Sequence, residues 1–149
     1  MKIARAEDGV EIEIERGLVD FLLQFPTLLD QIETGEDDPA AQRLHVPIYL
    51  DDAESNDEYW SLMGSELDRS READRSAFRE VLRAAPDGTI ASRQEAYAMV
   101  RVLNEARLAL AARFGVETES DYETLEAPEN DILQAVGELQ MALLWALGP

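Results

Sequence analysis

The densest group of candidate metal ligands is the acidic segment Asp51-Asp52-Ala53-Glu54-Ser55-Asn56-Asp57-Glu58. Calcium-binding loops of the EF-hand kind need Gly at their sixth position, for a sharp turn, and Glu at their twelfth, as a ligand. Counted from Asp52, those two positions hold Asp57 and Met63. We therefore interpret the segment as a solvated loop that leads into a helix cap, and we expect no metal site.

Nucleophilic and phosphate-binding chemistry finds equally little support. The chain has no cysteine, and its one imidazole, His45, has no neighbouring serine in a known nucleophile pattern. The eight glycines are scattered and form neither of the common Gly-rich phosphate-binding spacings. We expect no catalytic residue and no cofactor.

The charge balance argues against nucleic-acid binding. Thirty-two acidic side chains face thirteen basic ones, which gives a formal net charge of −19, and a phosphate backbone is bound by clustered Lys and Arg. Arg71, Arg75, Arg79 and Arg83 recur every fourth residue and form what we call the arginine ridge. Interleaved acids favour a solvated, salt-bridged helix face. If the ridge is functional, an acidic protein partner or an RNA polymerase subunit fits it better than bare DNA.

Arg107 is the most unusual polar residue, because it falls in the middle of an apolar helical stripe, between Leu103 and Leu110. A buried guanidinium costs several kcal/mol unless a carboxylate and further hydrogen bonds satisfy it. Asp74 lies on the core-facing side of the preceding long helix, and we predict an Asp74–Arg107 contact inside the bundle. The alternative is that Arg107 packs its methylenes and extends its charged head into water.

Met141 and Trp145 widen the apolar surface of the final helix beyond its core stripe. The N-terminal hairpin is the favoured cover for this surface. An interface with a partner, or with a second copy in a homodimer, is the alternative.

The elements that position these residues begin with a hairpin. Val10-Glu11-Ile12-Glu13-Ile14 alternates apolar and acidic residues, as in a strand with one buried face, and Asp8-Gly9 is a turn signal. A helical stripe of apolar residues starts near Glu15, and Pro26 should kink or divide that helix. Thr89-Ile90 is a further candidate for a short strand.

Two capping boxes predict two long helices. Ser55 with Glu58 opens the first, which runs towards Arg83, and Ser92 with Glu95 opens the second, which Gly115 closes. Residues 117–128 are interpreted as an acidic loop, and the last helix as residues 129–147. The fold class is mainly α: a single domain, 1–149, with a hairpin over 2–14 and a bundle of about four to five helices over 15–147.

Localisation follows from hydropathy and charge. No apolar run approaches the roughly 18 residues that cross a bilayer. Glu7 and Asp8 precede any hydrophobic stretch, so the start does not read as a signal peptide. We expect a cytoplasmic protein with no membrane partner.

The stretch Leu103-Asn104-Glu105-Ala106-Arg107-Leu108-Ala109-Leu110-Ala111-Ala112-Arg113-Phe114-Gly115-Val116 resembles the hallmark of an actinobacterial family of unknown function. The hairpin with its first helix, the segment Asp38-Pro39 and the acidic loop with Tyr122 are similar too. Asn104, Arg107 and Arg113 match family positions, and the resemblance attaches no catalytic role to them.

What the resemblance implies is regulatory. Genes of this family commonly lie beside that of the Clp-protease adaptor, and some members are described as oxidative-stress regulators that act through paired cysteines. This chain has no cysteine. The leading hypothesis is therefore a non-enzymatic regulator without a thiol switch that binds another protein, with the transcription machinery as a candidate partner. The alternatives are a helical bundle that binds a small ligand, or acts on it, through carboxylates and arginine, and a direct DNA-binding regulator.

Overall fold

The computed structural model describes the backbone of residues 1–33 and 53–149, and the side chains of residues 1–32 and 66–149. The strands are β1 (Lys2–Ala6), β2 (Gly9–Glu13) and β3 (Thr89–Ser92), and the helices are α1 (Arg16–Leu22), α2 (Gln24–Glu33), α3 (Ala53–Ala84), α4 (Arg93–Arg113), α5 (Glu119–Thr124) and α6 (Ala127–Leu147). The predicted class, mainly α with a small N-terminal hairpin, is confirmed. His45, Asp38-Pro39 and the acidic segment 51–58 lie outside the residues whose side chains are described.

The sheet has the order β1-β2-β3, with both pairings antiparallel, so Thr89-Ile90 belongs to a strand as predicted. Val10 and Ile12 on β2 and Ala91 on β3 face the core and are fully buried or nearly so. Gly9 is the first residue of β2 rather than part of the turn, which consists of Glu7 and Asp8. The sheet therefore lies as a small layer on the helices.

Pro26 divides the first helical stretch as predicted, although the break falls three residues before it. α1 ends at Leu22 and α2 starts at Gln24. Proline has no N–H to donate to the carbonyl four residues earlier, which here is that of Leu22, so the break falls where the hydrogen bond is missing. In the first turn of α2 the same proline is tolerated.

The second predicted capping box is confirmed. The Ser92 hydroxyl accepts from the backbone N–H of Glu95 at 3.1 Å, and the Glu95 carboxylate accepts from the Ser92 N–H at 3.0 Å. Gly115, with φ of +79°, follows the helix end, where the Val116 N–H donates to the Ala111 carbonyl at 2.9 Å. The first box does not mark a helix start, because α3 already includes Ala53.

Residues 117–128 are not only a loop, since they contain α5. Asp121 stabilises the start of this short helix. One of its carboxylate oxygens accepts hydrogen bonds from the backbone N–H groups of Glu117 and Thr118, both at 2.9 Å. These two hydrogen bonds hold the pKa of Asp121 below its ordinary value. α6 then begins at Ala127, and Pro128 stands in its first turn.

One cluster of buried side chains joins the sheet to α1, α2, α3, α4 and α6. Phe78 of α3, Leu103 of α4 and Leu143 of α6 are fully buried in it. Polar side chains near this core are therefore either paired or displaced to the surface.

Candidate functional site

Among the residues whose side chains are described, Arg75 is the buried charged residue. Its side chain is 3% exposed on α3, and its Nη1 donates to Asp30 Oδ1 of α2 at 2.6 Å. Its Nη2 donates to Glu105 Oε2 of α4 at 3.2 Å. One guanidinium therefore joins three helices, which suits its planar fork of donors.

Two further arginines complete this group, which we call the arginine network: Asp30, Arg71, Arg75, Arg79 and Glu105. Arg71 Nε lies 3.7 Å from Glu105 Oε1, and Arg79 Nη2 lies 3.6 Å from Asp30 Oδ2. Each carboxylate thus contacts two arginines. Three guanidinium groups and two carboxylates therefore attract one another across three helices.

The structure places three of the four members of the arginine ridge between helices rather than on an open surface. Arg71, Arg75 and Arg79 are 16%, 3% and 27% exposed and belong to the arginine network, whereas Arg83 is exposed in the last turn of α3. Spacing by four residues places the arginines on one helical face, as the sequence indicates. That face packs against α2 and α4, where Asp30 and Glu105 pair with three of its four arginines.

The predicted Asp74–Arg107 contact is wrong. Both carboxylate oxygens of Asp74 accept from Arg101, at 2.8 Å from Nε and 2.8 Å from Nη2. The hydrogen bond from Asp74 raises the pKa of the Arg101 guanidinium. Arg107 lies six residues further on, roughly 9 Å along the helix axis, and is out of reach.

Arg107 lies instead, half-buried, beside a surface depression of about 260 Å³ at the end of α4. Glu117, Glu119 and the Tyr122 ring line the depression from the α5 side. Asn104 lies one turn before Arg107, and Arg113 is exposed in the last turn of the helix. The three family-motif positions therefore do not converge on one site.

An apolar groove of about 490 Å³ lies between the N-terminal helices and the α4–α6 pair. Phe21 and Leu28 line one wall, and Leu110 and Ile132 line the other. Asp20, Gln24 and Gln31 supply polar atoms at the same groove. Sequence reasoning missed it, because all four apolar residues read as ordinary core positions.

The outer face of α6 carries an apolar patch that we call the α6 patch: Met141, Leu144 and Trp145. They are 56%, 41% and 78% exposed. The expectation that the hairpin covers Met141 and Trp145 is wrong, because the opposite face of α6 is the one that packs on the core, through Leu143 and Leu147. Arg5 of β1 borders the patch, and its Nε donates to the Ala146 carbonyl at 3.2 Å.

Among the described residues, no group of three His, Cys, Asp or Glu side chains is placed to hold a metal ion. None of the described helices is long and apolar enough to cross a membrane. The described residues do form the arginine network, the depression at Arg107, the apolar groove and the exposed α6 patch.

Fold and surface define a strongly acidic, mainly helical protein with a tryptophan turned to solvent. The chain belongs to the family described as a domain of unknown function (DUF2017), which matches residues 3–147. No curated protein and no solved structure matches it.

Proposed function

We propose that this chain is a non-enzymatic cytoplasmic regulator that acts by binding another protein through the α6 patch. The observation that carries the proposal is the exposure of Trp145, at 78%. Trp145 and its two neighbours in the patch leave apolar surface in contact with water. A partner that covered this surface would gain the free energy of burying it. Tryptophan is also the residue type most enriched among those that dominate binding energy.

The electrostatics of the patch support a protein partner rather than nucleic acid. The net charge of −19 repels a phosphate backbone, and three arginines of the predicted ridge are occupied inside the arginine network. Apolar burial with few charged groups is typical of the centre of protein–protein interfaces.

The finer role that we propose is control of stress-response transcription in an actinobacterium, without a cysteine switch. Its support is the resemblance carried by residues 103–116, together with the family match. Because the chain has no cysteine, the signal would be the availability of the partner rather than thiol oxidation. A component of the transcription machinery is the partner that this role requires.

Affinity purification with Trp145→Ala tests the binding proposal. Cytosol of the source organism is passed over the wild-type chain and the variant, and recovered proteins are quantified by mass spectrometry. We expect a reproducible partner whose recovery falls at least about tenfold with the variant, since truncating a central aromatic anchor costs about 2 kcal/mol or more. Tyr122→Ala removes a similarly apolar ring, 40% exposed and distant in sequence on α5, and should leave recovery unchanged.

Two results would count against the proposal: no reproducible partner, or equal recovery with both variants. Thermal unfolding separates a binding defect from a folding defect. Both positions are exposed, so each variant should unfold within about 0.5 kcal/mol of wild type.

A second candidate function, binding of a small ligand through arginine and carboxylates, is favoured by the depression at Arg107. The depression has a volume of about 260 Å³. A ligand there would meet a cation from Arg107, an acceptor from Glu117 and a hydroxyl from Tyr122. If such a ligand exists, a metabolite screen by thermal shift should give a hit with wild type that Arg107→Met abolishes. The matched variant Arg83→Met should retain it. A hit that survives Arg107→Met would place the ligand elsewhere.

A further inference from the structure

Nothing in the described part of the chain explains the glycine at position 137. It lies in the middle of α6, where glycine costs about 1 kcal/mol relative to alanine. Its backbone is helical, and it is not among the glycines of positive φ. No atom of the described residues lies within 4 Å of a Cβ built on it. Neither backbone strain nor packing inside the described part of the chain calls for glycine here.

The position of Gly137 links it to the α6 patch. It precedes Met141 by four residues and Leu144 by seven, and these spacings place side chains on one helical face. On a helix, a glycine beside large apolar residues makes a shallow hole between them. Such a hole lets a second helix approach closely.

We propose that, in the absence of a partner, a second copy of this chain covers the α6 patch. The two α6 helices pack antiparallel about a two-fold axis that passes near Met141. An isologous contact of this kind pairs each residue with its mirror position in the other helix. The symmetry places Trp145 of each copy opposite Gly137 of the other, so that the ring fills the hole.

The charges beside the patch support a second copy as its occupant. Glu138 is exposed one turn before Met141, and Arg5 borders the patch near Leu144. The same two-fold axis places Glu138 of one copy opposite Leu144 of the other. Glu138 therefore lies towards Arg5 of that other copy. The interface therefore pairs Trp145 with the hole at Gly137, and Glu138 with Arg5. The two-fold symmetry repeats each of these contacts.

This inference rests on the proposed function, because it assigns the same patch to a second copy when the partner is absent. Self-association would then keep the apolar surface out of water, and the partner would compete with the second copy. Each chain carries −19, so like-charge repulsion opposes the dimer at low salt. Dimerisation should therefore strengthen as salt is added.

Sedimentation equilibrium on the purified full chain, at low and high salt, tests the inference. We expect a monomer–dimer equilibrium whose dissociation constant rises at least about tenfold with Trp145→Ala. Gly137→Leu is the sharper variant, because it fills the hole and improves helix propensity. It should abolish the dimer and leave thermal stability unchanged or higher. Glu138→Arg should weaken the dimer, and mixing it with Arg5→Glu should restore association as a heterodimer.

The outcomes separate the two proposals. A wild-type chain that is monomeric at every concentration and salt, or a dimer that Gly137→Leu leaves intact, overturns the inference. Recovery of a cytosolic partner that depends on Trp145 would still support the proposed function in that case. A dimer that depends on Trp145 and Gly137, with no partner recovered, would support the inference and count against the function.

Discussion

Arg75→Met is expected to lower the free energy of unfolding by about 2–4 kcal/mol. The substitution keeps much of the side-chain volume but removes the cation that contacts both Asp30 and Glu105. Two carboxylates would then face each other across α2, α3 and α4 without their shared partner. Removing one partner of a buried ion pair costs about 3–5 kcal/mol, and the estimate is reduced here because Asp30 is 47% exposed and keeps part of its hydration.

Urea unfolding followed by far-UV circular dichroism measures this loss as a lower midpoint at an unchanged m-value. Arg83→Met is the matched control, since Arg83 is exposed in the last turn of the same helix. It should cost less than about 1 kcal/mol, the scale of a charge at a helix end. Arg75→Lys should fall between the two, because lysine keeps the charge but lacks the planar fork. Equal losses for Arg75→Met and Arg83→Met would show that the arginine network contributes no more than a surface charge.

Local signals in the sequence predict much of the fold. The alternation of residues 10–14 predicts β2, the pair Ser92 and Glu95 predicts the start of α4, and Pro26 predicts a division of the first helix. Each of these features depends on contacts within a few residues of the chain, so spacing and residue type are sufficient. Asp121 carries the same kind of signal for α5: Thr118 with an acid three residues on is a capping pattern.

The sequence does not predict which side chains on different helices contact one another. Spacing shows that Asp74 and Arg75 belong to different faces of α3, but it does not show which neighbour each face meets. Asp74 meets Arg101 because α3 and α4 are in contact at that height, and Arg75 lies between Asp30 and Glu105. The predicted Asp74–Arg107 pair is therefore wrong, and the buried arginine that joins helices is Arg75.

Arg75 does carry a sequence signal. It precedes Phe78 by three residues and Leu82 by seven, so it shares their core-facing stripe. The regular spacing of the four arginines instead predicts a ridge on the surface of the helix. The exposure of Trp145 is a comparable case, because periodicity places this residue on a second side of α6 but does not show whether the hairpin covers that side.

Gly9→Ala is expected to lower the free energy of unfolding by roughly 1–3 kcal/mol, the cost of forcing an extra methyl into a packed site. Gly9 is buried at the start of β2, opposite Ser92 of β3. A Cβ at this position would overlap the carbonyl oxygen of Ala91 on the neighbouring strand. Backbone atoms cannot rotate away as a side chain does, so β2 and β3 must separate locally.

The consequences of Gly9→Ala extend beyond the start of β2. Val10 and Ile12 follow it on β2 and are fully buried, so a shift of this strand loosens the contact between sheet and helices. The unfolding midpoint should fall, and amide exchange should quicken first at the β2–β3 pairing. Two-dimensional NMR of exchanging amides resolves that order.

Gly17→Ala is the control that isolates the clash. Gly17 lies in the first turn of α1, and no atom of the described residues lies within 4 Å of a Cβ built on it. Alanine there should be neutral or stabilising by up to about 1 kcal/mol, because it restricts the unfolded chain without strain. If Gly9→Ala proved as stable as Gly17→Ala, the close approach of the Ala91 carbonyl would not be what requires glycine in β2.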